Sequence, residues 1–408
     1  MIIKIGMILL VVLSSMYSLV LNVVKYRSAN NPTPENVADV FDATTYATWK
    51  KYSAEHCKLS IVSAIVSGVV TIALLATDVY AVFASLFPDS VFWKLFAVIL
   101  LESVVSTIVS VIESYVATMK IEEKYGFNRS NMKTFVIDQI RGFIIGFVLS
   151  LGLAALIAAL HQWLGDWMIL LFVITVFCFT MLISFLYPLF SRIGNKFTPL
   201  EEGELKDNLM RLLTKHGYKV KAIEVIDASR RTTKLNAYFT GFGKMKTIVL
   251  YDNLLNAMTP DEICAVFAHE LGHGLHKDVL KSQILNIGYI SLIGVIAWFT
   301  VRTPILYTSF GFEAINYGFA YILIGTMLSF IQPPVSIVIN ARSRMAEYRA
   351  DRQAVKEGYG EAMITAFKKL AKENFAHLAP SRLNVIMEYS HPPLSRRVEE
   401  VEKAMNKS

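Results

Sequence analysis

The chain is predicted to be an α-helical protein that crosses a membrane about seven times and carries a soluble part with a small β-sheet. Three observations carry this expectation. Of its 408 residues, 54% are hydrophobic and only 18% charged, whereas soluble globular domains are nearer a quarter charged. The apolar residues gather in blocks near 2–24, 59–86, 92–118, 142–161, 167–190, 284–302 and 319–340. Each block can cross about 30 Å of hydrocarbon at about 1.5 Å per residue. Basic residues also alternate between loops. Lys25, Arg27, Lys50 and Lys51 fall in 25–56, and Lys120, Lys124, Arg129, Lys133 and Arg141 in 119–141, while 87–91, 162–166 and 303–318 have none. Cytoplasmic loops attract Lys and Arg, so the N-terminus is expected outside, and 191–283 and the C-terminus inside.

The net charge of +7 belongs to these flanks. No basic patch is interleaved with aromatics, so nucleic acid is not an expected partner; the lipid bilayer is.

Four parts are expected in order. Residues 1–190 hold five spans. The first carries Lys4 and is long for a signal peptide, so it is expected to be retained. The third carries Lys94, Glu102 and Glu113, which must face protein or water. Residues 191–283 form the main soluble part. A helix opens at Pro199-Leu200-Glu201-Glu202 and runs to about His216; strands follow at Lys219–Ile226 and Thr247–Tyr251. Thr259-Pro260-Asp261-Glu262 is a capping box with Pro at the first helical position, so a helix starts there. Residues 284–340 supply two more spans. Residues 341–408 read as charged helices broken at Ala379-Pro380 and His391-Pro392-Pro393. Cys57, Cys178 and Cys264 form no disulfide framework or thiolate metal site; Cys178 and Cys264 read as small buried apolar residues.

The chemistry lies on the capped helix, in His269-Glu270-Leu271-Gly272-His273. Spacing of four puts both imidazoles on one helix face, where they can share a zinc ion. Zinc lowers the pKa of a bound water, and Glu270 stands beside His269 to take that proton as general base. Gly272 permits close packing beside the metal. Zinc needs a third protein ligand and an open position. His276 shares the face, but three ligands from two turns of one straight helix rarely converge. The better candidates are Glu347 and Asp351, one turn apart just after the last span. One could bind zinc while the other accepts a His ring N–H and orients it. With Glu347 as that ligand, the set would be that of a gluzincin-like zinc peptidase domain.

The sequence resembles the type I CAAX prenyl protease family of membrane zinc metalloproteases over about 45–398. The resemblance is carried by Glu122–Ser130 and Asp138–Gly142, by Tyr187–Phe190 and Asn195–Leu205, by Asn236–Lys244 and Ile248–Asp252, by the His269 motif, by the Glu347 run and by Ser390–Pro393. It implies a seven-helix barrel around a water-filled chamber, with one zinc per chain near its cytoplasmic end. Glu347 would be the third ligand and Asp351 its supporting carboxylate. Asn236, His391 and Arg397 match the family's substrate-positioning groups: Asn236 could hold the substrate backbone and His391 could donate to the developing oxyanion. Residues 236–250 would offer a strand edge to an extended peptide. The implied substrate is a protein or peptide, with those lipidated at a C-terminal Cys included. The sequence departs from the family's usual pattern at Thr232–Leu235, has reduced outer loops, and follows its motif with Gly274-Leu275-His276-Lys277-Asp278, as bacterial members do. Its last residues, Met405–Ser408, are not an endoplasmic-reticulum retrieval signal. The cytoplasmic membrane of a bacterium is therefore expected, and the endoplasmic reticulum if the source is eukaryotic. Two other readings compete: a membrane quality-control metalloprotease, which the extra spans disfavour, and a transporter or receptor with a vestigial zinc helix, in which Glu270 would have no use.

Overall fold

Long apolar helices make up the first half of the molecule. The computed structural model describes residues 1–192, 195–218, 222–240 and 247–407. Helices α1 (Ile2–Ser28), α2 (Ala43–Ala76), α3 (Val79–Ser85), α4 (Val91–Val116), α5 (Met132–Leu164) and α6 (Met168–Ser191) come first. Helices α10 (Asp278–Val301), the short α11 (Ile305–Thr308) and α12 (Tyr317–Lys356) complete the bundle. Among the described residues, six stretches have the length and composition of membrane spans. One of them, Met132–Ile183, holds α5 and most of α6, joined by the tight turn Gly165–Trp167.

These helices are apolar around most of their circumference. Their inner faces form one core that includes Leu95, Val98, Ile157, Phe172, Ala297 and Phe319. Their outer faces leave Val62, Val69, Ile108, Ile145, Val148 and Ile174 exposed, as a lipid-facing surface requires. Cys178, expected buried, is exposed on α6. It shares that outer face with Ile174 and Leu182, one turn to either side.

The acidic residues within the third span are satisfied. Tyr80 donates its hydroxyl to Glu102, and Ser63 donates to Glu113. The expected block 59–86 is two helices, because the chain breaks at Thr77-Asp78, where Thr77 is extended. Asp78 is held there by the Lys4 ammonium at 2.8 Å.

The soluble part is built on a four-stranded sheet of order β1-β2-β4-β3. Its strands are β1 (Phe197–Pro199), β2 (Ala222–Ile226), β3 (Ala237–Thr240) and β4 (Thr247–Tyr251). Pro199 lies in β1, opposite Glu224, rather than opening a helix as expected. The helix there, α7, covers Glu204–Lys215. Proline lacks an N–H and is tolerated in a strand only at such an edge. Residues 219–221 of the expected strand and 241–246 after β3 lie outside the described residues. The outer strand β3 pairs antiparallel with β4 and has no partner on its other side among the described residues.

Helix α8 (Asp252–Ala257) leads into α9 (Pro260–Leu275). The capping box is formed: Thr259 accepts from the Glu262 N–H, and Glu262 accepts from the Thr259 N–H. Leu209, Leu213, Ile248, Leu250, Ile263 and Phe267 close a second core behind α9. Helices α13 (Gly360–Glu373), α14 (Arg382–Glu388) and α15 (Leu394–Met405) finish the chain, with breaks at the expected prolines. A third, aromatic core ties the end of α1 to this region through Phe41, Trp49 and Leu378.

Candidate metal centre

Two helices build the site. Helix α9 supplies His269, Glu270 and His273, and α12 supplies Glu347 and Asp351. Helix α12 is one uninterrupted helix from Tyr317 to Lys356, so the last span runs directly into the site. The two helices touch at Gly272. A Cβ there would stand 2.9 Å from Ala350 Cα and 3.0 Å from Gln353 Cβ. Only glycine lets the backbones approach so closely, and this approach brings Glu347 to the two histidines.

His269 Nε2 and His273 Nε2 are 3.2 Å apart. Glu347 Oε1 is 3.3 Å from His273 Nε2, and its Oε2 is 3.5 Å from His269 Nε2. Ligands about 2.0–2.1 Å from one tetrahedral ion stand about 3.3–3.4 Å apart, so the triangle has the dimensions of one face of that tetrahedron. Glu347 Oε2 is buried and receives no hydrogen bond; a buried carboxylate needs cations beside it, which a bound metal would supply alongside the Arg397 guanidinium at 3.2 Å. Among the described residues, these three form the group able to hold a metal. Two imidazoles and a carboxylate suit zinc.

Each imidazole is backed by an aspartate, and each aspartate by an arginine. His269 Nδ1 is 2.8 Å from Asp351 Oδ1. Arg397 donates to both oxygens of Asp351, through Nε at 3.0 Å and an NH2 nitrogen at 2.6 Å. That nitrogen is also 3.2 Å from Glu347 Oε2. On the other side, His273 Nδ1 is 3.2 Å from Asp278 Oδ2, and Arg349 donates to Asp278 Oδ1 at 2.7 Å. A carboxylate on Nδ1–H leaves Nε2 as the bare lone pair that a metal takes. Burial alone would push the His273 pKa down. The hydrogen bond and charge of Glu347, helped by Asp278, outweigh burial and raise it to about 9. Burial would raise the carboxyl pKa of Asp351, but Arg397 and His269 hold it below its usual value.

Asp278 and the Asp351–Arg397 fork are the contacts that sequence reading missed. Asp278 follows a break at Lys277, whose φ of 55° is rare for a residue other than glycine. A single helix pattern gives no hint of this reversal. Arg397 lies 46 residues beyond Asp351, beyond the reach of local spacing.

The other expected residues are placed as follows. Glu270 and His273 line an open cleft of about 620 Å³, together with Ala237 and Tyr238 of the outer strand β3. Asn236 immediately precedes that strand. It is exposed and bonded to its own neighbour, Ala237 N–H, at 2.9 Å, so it lies beside the cleft rather than on the ligands. His391 reaches in from the loop before α15, with Nε2 at 3.3 Å from Glu347 Oε1 and 63% of its side chain exposed. Arg397 faces the carboxylates of Asp351 and Glu347 and stacks on Phe367 with its carbon 4.1 Å from the ring centre. His276 caps the C-terminal end of α9, its backbone N–H donating to the Gly272 and Gly274 carbonyls.

Comparison with known proteins supplies the family. Residues 199–405 match the model of peptidase family M48, and 22–192 match the CAAX prenyl protease N-terminal model, described as five membrane helices. The chain belongs to peptidase family M48. Within that family it is similar to CAAX prenyl protease 1 of Saccharomyces cerevisiae, at 31% identity over 72% of this chain and 69% of the relative. The Arabidopsis thaliana homologue is 32% identical over 71% and 69% of the two chains, and the human homologue 26% over 92% and 89%. The crystal structure of S. mikatae Ste24p superposes with a TM-score of 0.92 at 26% identity, covering 98% of this chain and 99% of that one. The protein is thus an integral, multi-pass membrane metallopeptidase of the CAAX prenyl protease type, acting on protein or peptide substrates.

Proposed function

We propose that this M48 peptidase holds one zinc ion per chain on His269, His273 and Glu347, and cuts proteins near a C-terminal, lipid-modified cysteine on the cytoplasmic side of its membrane. The donor triangle with sides of 3.2, 3.3 and 3.5 Å is the observation that carries the metal assignment. The names of the similar proteins support the substrate class, and the alternation of basic loops supports the side.

Zinc, when bound, supplies Lewis acidity and lowers the pKa of a bound water toward about 7. The chain's own residues supply the rest. Glu270 takes the proton of the attacking water and returns it to the leaving amine. His391, beside Glu347, donates to the oxygen that becomes negative as the carbonyl is attacked. Asp351 and Asp278 hold the two imidazoles in the tautomer that leaves Nε2 bare, and Arg397 fixes Asp351. Strand β3, the outer strand of the sheet among the described residues, contributes Ala237 and Tyr238 to the cleft, so an extended substrate adds to the sheet there, with Asn236 holding its backbone.

The test compares a farnesylated C-terminal CAAX peptide with its unprenylated twin, using protein purified in detergent. Cleavage of the farnesylated peptide with preference over the twin is expected. Equal cleavage of both removes the lipid from the substrate definition, and cleavage of neither removes C-terminal processing.

A further inference from the structure

Four arginines around the metal centre have partners. Arg344 donates to the Val385 and Tyr389 carbonyls, Arg349 to Asp278, Arg352 to Glu400 and Arg397 to Asp351. Arg342 differs. Among the described residues its guanidinium has no ion pair and no hydrogen bond. It lines the same cleft as Glu270 and His273. The cleft's acidic groups are Glu270 and Asp278, and Asp278 is already held by His273 and Arg349.

Ile339, Arg342, Ser343 and Ala346 all line the cleft. Their spacing of three and four makes them one face of α12. Arg342 precedes the ligand Glu347 by five residues, about 7.5 Å along the helix axis. An extended peptide advances about 3.3 Å per residue. A carboxylate held at Arg342 and a carbonyl held at the metal therefore share one cleft, set apart along the helix axis by the length of a few extended residues. A planar guanidinium with five donors matches a carboxylate in bidentate fashion.

We infer that Arg342 is a specificity residue that binds the C-terminal carboxylate of the substrate, and so favours release of a short C-terminal fragment. This rests on the C-terminal processing reading above. The carboxylate supplies the partner that Arg342 lacks among the described residues.

The test uses the full-length, metal-loaded protein in detergent and two farnesylated CAAX peptides that differ only in ending as free acid or amide. The readout is the acid-to-amide ratio of kcat/KM within each protein, so that a poorly folded fraction cancels. Wild type should prefer the acid by about ten-fold to a hundred-fold, as expected for a charge-assisted pair. Arg342→Gln should bring the acid-to-amide ratio close to one, and Arg342→Lys should restore part of the preference. If Arg342→Gln keeps the preference, the inference falls. If wild type cuts both peptides equally, the processing reading stands and this inference alone falls. If wild type cuts neither, both fall. Repeating the assay in phosphatidylcholine vesicles with and without phosphatidylglycerol separates a lipid role. A loss in Arg342→Gln that is equal for both peptides and appears only with the anionic lipid assigns Arg342 to headgroups and overturns the inference.

Discussion

Asp278→Asn isolates what the second aspartate does for the metal. The carboxylate accepts from two donors, His273 Nδ1 at 3.2 Å and Arg349 at 2.7 Å. Asparagine offers one oxygen and one NH2 in its place. If the oxygen stays on Arg349, the NH2 faces His273 Nδ1 and drives the ring proton to Nε2, the atom that must be bare for a metal. If the oxygen turns to His273, the Arg349 guanidinium loses its partner. Loss of such support lowers metal affinity about 10- to 100-fold, or about 1.4–2.7 kcal/mol. The assay is competition with a chromophoric chelator at fixed pH. Asp278→Asn should bind zinc at least ten-fold more weakly than wild type. It should still reach one equivalent at saturating zinc, since the three ligands are intact. An unchanged affinity would refute the argument that Asp278 sets the His273 tautomer.

Three further outcomes follow. Gly272→Ala places a Cβ 2.9 Å from Ala350 Cα, and such overpacking against backbone costs about 1–3 kcal/mol; the variant should melt several degrees lower and bind zinc more weakly, and an unchanged Tm would contradict the close approach of α9 and α12. His377 bonds Ser28 Oγ at 2.8 Å, and burial, with the charge of Lys25, pushes its pKa down to about 4. The unfolded ring titrates near about 6.5, so between these values the unfolded state binds more protons; the stabilisation is complete above the upper value and is lost as pH falls to the lower, by up to about 3 kcal/mol. Melting at pH 7 and pH 4.5 should show a smaller acid loss for His377→Gln than for wild type, and equal losses would sink the assignment. Because His273 without metal holds a proton up to about pH 9, zinc uptake at pH 7 should release about one proton, measured by titration calorimetry in two buffers of different ionisation enthalpy; zero release would contradict the raised His273 value.

The helical bundle and the first half of the site were legible because their signals are local. Apolar blocks longer than a bilayer's thickness mark helices with little ambiguity. The capping box Thr259–Glu262 set the start of α9, and spacing of four set the His pair. Local signals also carried Glu347 and Asp351 to one helix face, but not to the metal. That step needs the α9–α12 contact at Gly272, a pairing of segments about 80 residues apart, and only the resemblance to a family supplied it. What was missed depends on chain reversals and long-range pairing. The break at Thr77-Asp78 sits inside an apolar run, and Asp78 finds its partner at Lys4, 74 residues away. The start of α10 follows a left-handed Lys277, where no glycine announces the turn. Pro199 looked like a helix start because proline favours that position, yet an edge strand tolerates it equally well.

The central claim is tested most directly by zinc content measured beside cleavage in one preparation of wild type, Glu270→Gln and Glu347→Ala. Elemental analysis after gel filtration should give about one zinc per chain for wild type and Glu270→Gln, and far less for Glu347→Ala. Cleavage of the farnesylated peptide should survive only in wild type, with Glu270→Gln down at least about a hundred-fold. Full zinc in Glu347→Ala would remove the third ligand from the account, and wild-type cleavage rates in Glu270→Gln would remove its general base.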